Sequence, residues 1–343
     1  MLKIAIQTQD ETLIAHQLAK FDLSELTNLV QTDRVMALAH IDAMLLQGDD
    51  SVFDKLIEWA NEREISPSKF PRDKDALKAL KELNLSNCSL KTLPQELVCL
   101  QGLESLHLGS NKFQGVVPRV ICELKNLKTL ILGECGLNDL PDEFAKLQGL
   151  ESLTLVNNGL YEFPKALCQL TSLKKLDLLR CGLETLPYEI VNLQGLEELV
   201  LGYNIFKEFP NALCGLINLK SLNLANCGLE TLPDTLEVLQ KLEKLYLPLN
   251  RLVCDKWLDS RDLPQVIFKL RNLQELDLCK CNIPSFSTLP KEFLNLQNLK
   301  KLFINSANFC YDDETSVLDK LQIQIESRGE QLEIRDSSDF EFF

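Results

Sequence analysis

A period of 23 residues runs through this chain from Leu80 to about residue 309, and few folds accommodate it. Between Leu173 and Leu219 the sequence reads LKKLDLLRCGLETLPYEIVNLQGLEELVLGYNIFKEFPNALCGLINL. Two consecutive units there align as L-x-x-L-x-L-x-x-(C/N)-x-Φ-x-x-(L/F)-P-x-x-Φ-x-x-L, where Φ is apolar. Leu173, Leu176 and Leu178 are spaced by three and then two, which suits a chain entering a short strand and alternating sides along it, near residues 175–179. Cys181 and Leu183 then turn inward, and Ile190 and Leu193 bring the chain back. Pro187 has no N–H to give to a ladder, so it belongs on the returning arc. A single unit cannot bury its own apolar side; stacked neighbours must supply the burial and pair the strand edges.

The units begin at Leu80, Leu103, Leu127, Leu150, Leu173, Leu196, Leu219, Leu242, Leu273 and Leu299, the last two spacings lengthening to 31 and 26 residues. The residue before each first leucine is often Gly or Asn (Gly102, Asn126, Gly149, Gly195, Asn218, Asn272, Asn298), types that tolerate a left-handed backbone, and it is read as the turn feeding each strand. A second period lies inside the first. The position after the strand alternates strictly: Cys88, Asn111, Cys135, Asn158, Cys181, Asn204, Cys227, Asn250, Cys281. Cys122, Cys168 and Cys214 are likewise 46 residues apart, so the duplicated module is a pair of units. Asn can bond a turn with both donor and acceptor, whereas Cys offers one weak donor. Gly136, Gly182 and Gly228 follow the cysteines, which predicts a tighter turn there, less dependent on a side-chain bond.

Taken together, residues 80 to about 309 resemble the leucine-rich-repeat superfamily. The 23-residue length with Leu-Pro after the strand is similar to the intracellular class of Ras-suppressor-like scaffolds and many bacterial repeat proteins. The Cys/Asn alternation is also similar to that of ribonuclease inhibitor, whose longer, helix-bearing units are absent here. The resemblance implies an α/β solenoid of horseshoe form, with a parallel β-sheet on its concave face, that recognises another protein there. A small GTPase, a phosphatase or a host protein would suit such a surface.

Three segments follow. Residues 1–79 lack the period; Glu11–Phe21, Leu23–Leu46 and Ser51–Glu64 show helical spacing, with Asp10 and Asp50 as possible caps and Gly48 as a stop. They read as a helical N-terminal cap, with Trp59, His16 and His40 as packing residues. Residues 80–311 are the solenoid of about ten repeats, and 312–343 an acidic C-terminal αβ cap or tail, with a helix in DDETSVLDKLQIQIESRG and a strand in EQLEIRD.

Composition narrows the function. A net charge of -14 without a basic stripe argues against nucleic acid and anionic membranes. With neither an N-terminal apolar stretch nor an apolar run of about 18 residues, the chain reads as cytoplasmic, without membrane insertion. A bacterial effector acting in a host cytosol is the alternative, since SSDFEFF is similar in character to C-terminal export signals. Of the twelve cysteines, eight fall on the two 46-residue ladders as small core residues. Cys279 and Cys281 form a C-x-C pair, Cys279 expected on the sheet face and Cys281 inside, with no further ligands to complete a metal site. Cys310-Tyr311-Asp312 resembles the Cys-x-Asp of bacterial repeat-bearing ubiquitin ligases, but only 31 residues follow it, and packing is the simpler reading. No phosphate-loop, HExxH, GxSxG or dinucleotide pattern occurs. The chain reads as a non-enzyme needing no cofactor and no metal.

Strand positions two, four, six and seven residues after each first leucine should point away from the core. Early units place small or polar groups there, such as Ser105, His107 and Ser110. Later ones place Ile131, Val156, Leu179, Val200, Tyr203, Tyr246, Leu249 and Phe303, with Glu134, Asp177 and Arg180 among the surrounding charges. An apolar stripe that the core does not need, rimmed by both signs of charge, reads as a protein-binding patch with Tyr203 and Tyr246 as anchors. The insert VCDKWLDSRD adds a loop in which Trp257 is a further candidate.

Overall fold

The structure is a computed structural model that describes residues 50–252, 263–281, 291–304, 320, 323, 325–327 and 333–335. The chain divides into two compact units, Met1–Leu83 with Thr92–Leu103, and Asn84–Lys91 with Glu104–Phe343.

In the first unit, helix α1 (Ser51–Glu62) buries Val52, Phe53, Leu56 and Ala60 and packs on the 3-10 turn Gln95–Cys99. Asp50 precedes α1 but does not cap it; its carboxylate pairs with Lys78 Nζ at 2.7 Å. Trp59 meets Phe70 edge-on at 5.9 Å, the packing role expected of it. In the Pro-bearing connector, Asp73 accepts from Ala76 N and so caps the short helix α2 (Lys74–Lys78). Strand β1 (Glu82–Asn84) follows.

The second unit is built by stacking. Ten strands of this unit belong to one parallel sheet in which β2 (Ser105–His107), β4 (Thr129–Ile131), β6 (Ser152–Thr154), β7 (Lys175–Asp177), β8 (Glu198–Val200), β9 (Ser221–Asn223), β10 (Lys244–Tyr246), β11 (Glu275–Asp277), β12 (Lys301–Phe303) and β13 (Glu333–Arg335) neighbour one another in that order. Their central residues pair in register, Leu106 with Leu130 and onward to Leu302 and Ile334, so one row of leucines forms the inner side of the sheet. Each strand is only three residues long, shorter than the 175–179 expected, because the backbone begins to turn one residue beyond the alternating pair. The strand foreseen in EQLEIRD is β13, paired with β12. Between β2 and β6, β3 (Gly115–Val116) and β5 (Leu137–Asp139) pair on the arc leaving the sheet.

On the returning side nine described repeats each make a five-residue 3-10 turn after the proline. Pro187 precedes Tyr188–Asn192 with extended backbone, and its carbonyl accepts from Ile190 N at 3.2 Å, as its place on the arc requires. The core lies between sheet and turns.

Two expectations about the turns are overturned. The Gly/Asn before each first leucine is not left-handed: Asn126, Asn218, Gly149 and Gly195 are absent from the positive-φ residues. Those positions face the preceding repeat at close range. A Cβ on Gly195 would meet the carbonyls of Thr171 and Leu173 at 3.1 and 3.2 Å, and where Asn stands its amide reaches back, as from Asn218 to Gln194 O at 2.8 Å. Left-handed backbone instead falls seven residues after the first leucine, at Asn87, Ser110, Glu134, Asn157, Arg180, Tyr203, Asn226, Leu249 and Lys280, with φ between 48° and 63°.

The cysteine turns, secondly, do depend on a side chain. Asn204 Oδ1 accepts from Cys181 N and Leu183 N at 3.1 and 2.9 Å, and its amide donates to Leu178 O and Leu201 O at 2.9 and 2.8 Å. Asn111, Asn158 and Asn250 repeat this bonding. Each Asn thus closes the turn of the cysteine repeat before it, and the thiol of the following cysteine donates back to that Asn repeat, Cys227 Sγ to Leu201 O at 3.2 Å. Gly182, at φ 73°, completes the tight turn that the sequence did predict.

Candidate functional site

The outward face of the sheet is set by the register. Parallel sheets usually have both faces covered, and here the inner face carries the leucine row while Ile131, Val156, Leu179, Val200, Tyr203, Tyr246 and Leu249 are only half-buried on the other side. Glu134 and Arg180 beside them are exposed, and Asp177 is half-buried. Trp257 and its loop, Cys310, and the helices expected before residue 50 lie outside the described residues.

Rows run across the strands. The row two after the first leucine is charged toward the C-terminal end: Lys175 pairs with Glu198 at 2.9 Å, and Lys244 and Lys301 both approach Glu275 Oε1 at 3.3 Å. Tyr246 donates its hydroxyl to Glu275 Oε2 at 2.6 Å. Burial works to raise the Glu275 carboxyl, but the Tyr246 bond and the two lysines outweigh it and hold the group below the ordinary carboxylate range. Burial, together with the Glu275 bond and charge, pushes the Tyr246 phenol well above its usual value. Tyr246 is thus committed to a network, and Tyr203, on a different row, is not part of it.

The row four after the first leucine holds a structural device that the sequence reading missed. Asn84, Asp177, Asn223 and Asp277 each accept, through Oδ1, from the backbone N–H two residues on, at 2.9–3.0 Å. All four stand in cysteine repeats; the recurrence of Asx at that place was the available signal. Asp177 therefore serves its strand end, and Ile131 is the one cysteine-repeat position among Asn84–Asp277 that departs from the rule. Phe303 and Cys279, expected on the open face, are buried at 7% and 4% exposure, and Asp277 at 2%, so the face closes over at β11 and β12. Asp277 lies in register between Tyr246 and Phe303, and burial raises its carboxyl from 3.8 to about 6.

Arg180 and Tyr203 are brought together: the guanidinium sits 4.6 Å from the ring centre. Glu134 accepts from Ser110 Oγ at 2.9 Å. The thiols are packing groups, and burial pushes Cys122, Cys181, Cys227 and Cys281 to about 12, far from the thiolate that nucleophilic chemistry needs. Among the described residues no three His, Cys, Asp or Glu side chains cluster as a metal site, and no helix is long and apolar enough to cross a membrane.

Comparison with known proteins agrees with this architecture. A family described as leucine-rich repeat region matches residues 71–182, and the single leucine-rich repeat matches 218–239 and 272–296. A leucine-rich-repeat protein of Leptospira interrogans is 31% identical, with a TM-score of 0.60 over 72% of this chain and 66% of its own. A TDR receptor shares the fold at 24% identity and a TM-score of 0.55, over 67% of this chain and 39% of its own. The chain thus spans less than two thirds of either relative. No curated protein sequence matches. The repeat period, the in-register parallel sheet and these likenesses agree, and the chain belongs to the leucine-rich-repeat superfamily.

Proposed function

We propose that the protein is a non-catalytic interaction scaffold whose outward sheet face, between β4 and β10, holds a protein partner. Proteins of this superfamily are in general interaction modules. One observation carries the finer reading: a parallel sheet whose outer face is open over several strands, with aliphatic and aromatic side chains half-buried there. Backbone hydrogen bonding across the sheet preforms that surface, which limits the ordering cost of association. The thiols of Cys135, Cys181, Cys227 and Cys281 and the carboxylates of Asp177, Glu275 and Asp277 have structural partners that account for them. In the same reading, α1 covers the first repeat, supported by its packing on the turn Gln95–Cys99.

The test is site-directed photo-crosslinking. A benzophenone side chain is placed at Val200 on the sheet face and, separately, at Tyr188, an exposed residue on the returning side. Cross-linking from Val200, with loss of capture in Val200→Glu, is expected. Adducts formed only from Tyr188 would move the binding surface to the other side of the repeats.

A further inference from the structure

We propose that Arg180, stacked on Tyr203, anchors a carboxylate on an acidic, aliphatic-bearing segment of the protein partner; the inference rests on the outward face being the binding surface. Three observations converge.

The first is backbone strain. Asn87, Asn157 and Asn226 show the residue that the left-handed row accepts at least cost, since Asn tolerates this conformation. At φ 55° and 57° the row instead holds Arg180 and Tyr203, two of its five large side chains with Glu134, Leu249 and Lys280. Bulky side chains in a conformation that disfavours them point to something gained outside the fold.

The second is an unspent charge. The neighbouring lysines of the face are paired, Lys175 with Glu198 and Lys244 and Lys301 with Glu275. Among the described residues no carboxylate or carbonyl accepts from the Arg180 guanidinium, which is exposed and has its Cζ over the Tyr203 ring. The nearest acid in its own strand, Asp177, is occupied by Leu179 N at 3.0 Å. A planar fork fixed on an aromatic face is matched to the two oxygens of a carboxylate.

The third is the apolar floor beside it. Leu179 leans over Gly202, where a Cβ would meet its Cδ1 at 3.0 Å, so the glycine makes room for it. With Val156 and Val200 half-buried alongside, the platform has a cationic end and an aliphatic end. A segment bearing Asp or Glu close to Leu, Ile or Val complements both.

The experiment pans a displayed library of random peptides of about a dozen residues against the full chain, then measures affinities of the enriched peptides for wild type, Arg180→Gln, Arg180→Lys and Val200→Glu, each first shown to unfold like wild type in urea. We expect the enriched peptides to share an acid next to an aliphatic residue. Arg180→Gln should weaken them about tenfold or more, Arg180→Lys less, and an Asp→Asn or Glu→Gln change in the peptide should add nothing further in the Arg180→Gln background. No enrichment, enriched peptides without an acid, or affinities indifferent to Arg180→Gln would each overturn the proposal. So would binding that appears only after a Ser or Thr of the peptide is phosphorylated, which assigns the site to phosphate. If Val200→Glu abolishes binding while Arg180→Gln does not, the face stands as the binding surface and the carboxylate anchor falls; if neither substitution matters, both readings fall.

Discussion

At the scale of single residues, a few buried polar side chains set the repeat. Asn204 is 4% exposed and satisfies two backbone N–H groups and two carbonyls from two repeats. Asn204→Ala leaves all four without that partner, and a loss of about 3 kcal/mol or more is expected in urea unfolding, since each buried unsatisfied group costs about 1–3 kcal/mol. Cys227→Ala removes one weak donor and a small volume, and should cost only about 1 kcal/mol; equal losses would contradict the division of labour. Asp277 gives a pH signature. Its folded carboxyl is raised from 3.8 to about 6 by burial, so between those values the native state binds more protons than the unfolded one, and stability falls as pH rises through this window. Asp277→Asn keeps an oxygen acceptor for Cys279 N. It should therefore stabilise the protein by about 3 kcal/mol at pH 7 and by well under about 1 kcal/mol at pH 4. The reverse pattern would show that Asp277 is held as a favourable anion.

At the scale of elements, the strand and the returning arc were legible in the sequence because each rests on a short-range rule. The three-then-two leucine spacing gives the strand, and a proline without an N–H gives the start of the 3-10 turn. What escaped depends on neighbouring repeats. Gly195 and Asn218 suggested left-handed turns from residue type, yet their role is a close approach to the repeat before them, while the left-handed place is taken by Arg180, Tyr203 and Leu249, whose types conceal it. The open face was likewise legible over Ile131 to Leu249, but not the burial of Phe303, which depends on what β11 and β12 place beside it. The 3-10 turns form a packing layer of their own. A Cβ on Gly215 would lie 2.6 Å from Val191 Cγ1 in the turn before it. Gly215→Ala should thus destabilise by about 1–3 kcal/mol through overpacking, and Val191→Ala in the same chain should recover much of that loss. A double mutant showing simple additivity would mean that the two turns do not bear on each other.

At the scale of the whole array, the cooperative element is two repeats and not one. Each Asn closes the turn of the cysteine repeat before it, and from Leu80 to Leu242 the residue after each first leucine alternates in charge. Glu104 pairs with Lys128, Glu151 with Lys174 and Glu197 with Lys220, at 2.6, 2.7 and 2.9 Å. These exposed pairs contribute little individually, but their alternation has the same 46-residue period as the turns. Deleting residues 173–218, which are 46 residues, joins Ser172 to Leu219 and keeps both patterns: Cys227 follows Asn158, and Glu151 meets Lys220. Deleting 173–195, only 23 residues, sets the Asn204 repeat directly against the Asn158 repeat, and Glu151 against Glu197. Asn204 then faces a turn with Asn158 in the cysteine's place and a Gly159 that is not left-handed, unlike Gly182 in the turn that offered it two N–H donors. Solenoid stability is close to a sum of repeat and nearest-neighbour terms, so removing matched repeats should cost little more than their own share. The larger deletion is therefore expected to keep a sharp urea transition with a slope reduced in line with its smaller buried surface, and the smaller deletion to show the lower midpoint. If the 23-residue deletion proved the more stable, nearest-neighbour matching would not be what binds repeat to repeat, and the Cys/Asn alternation would be a trace of duplication with no energetic part in the fold.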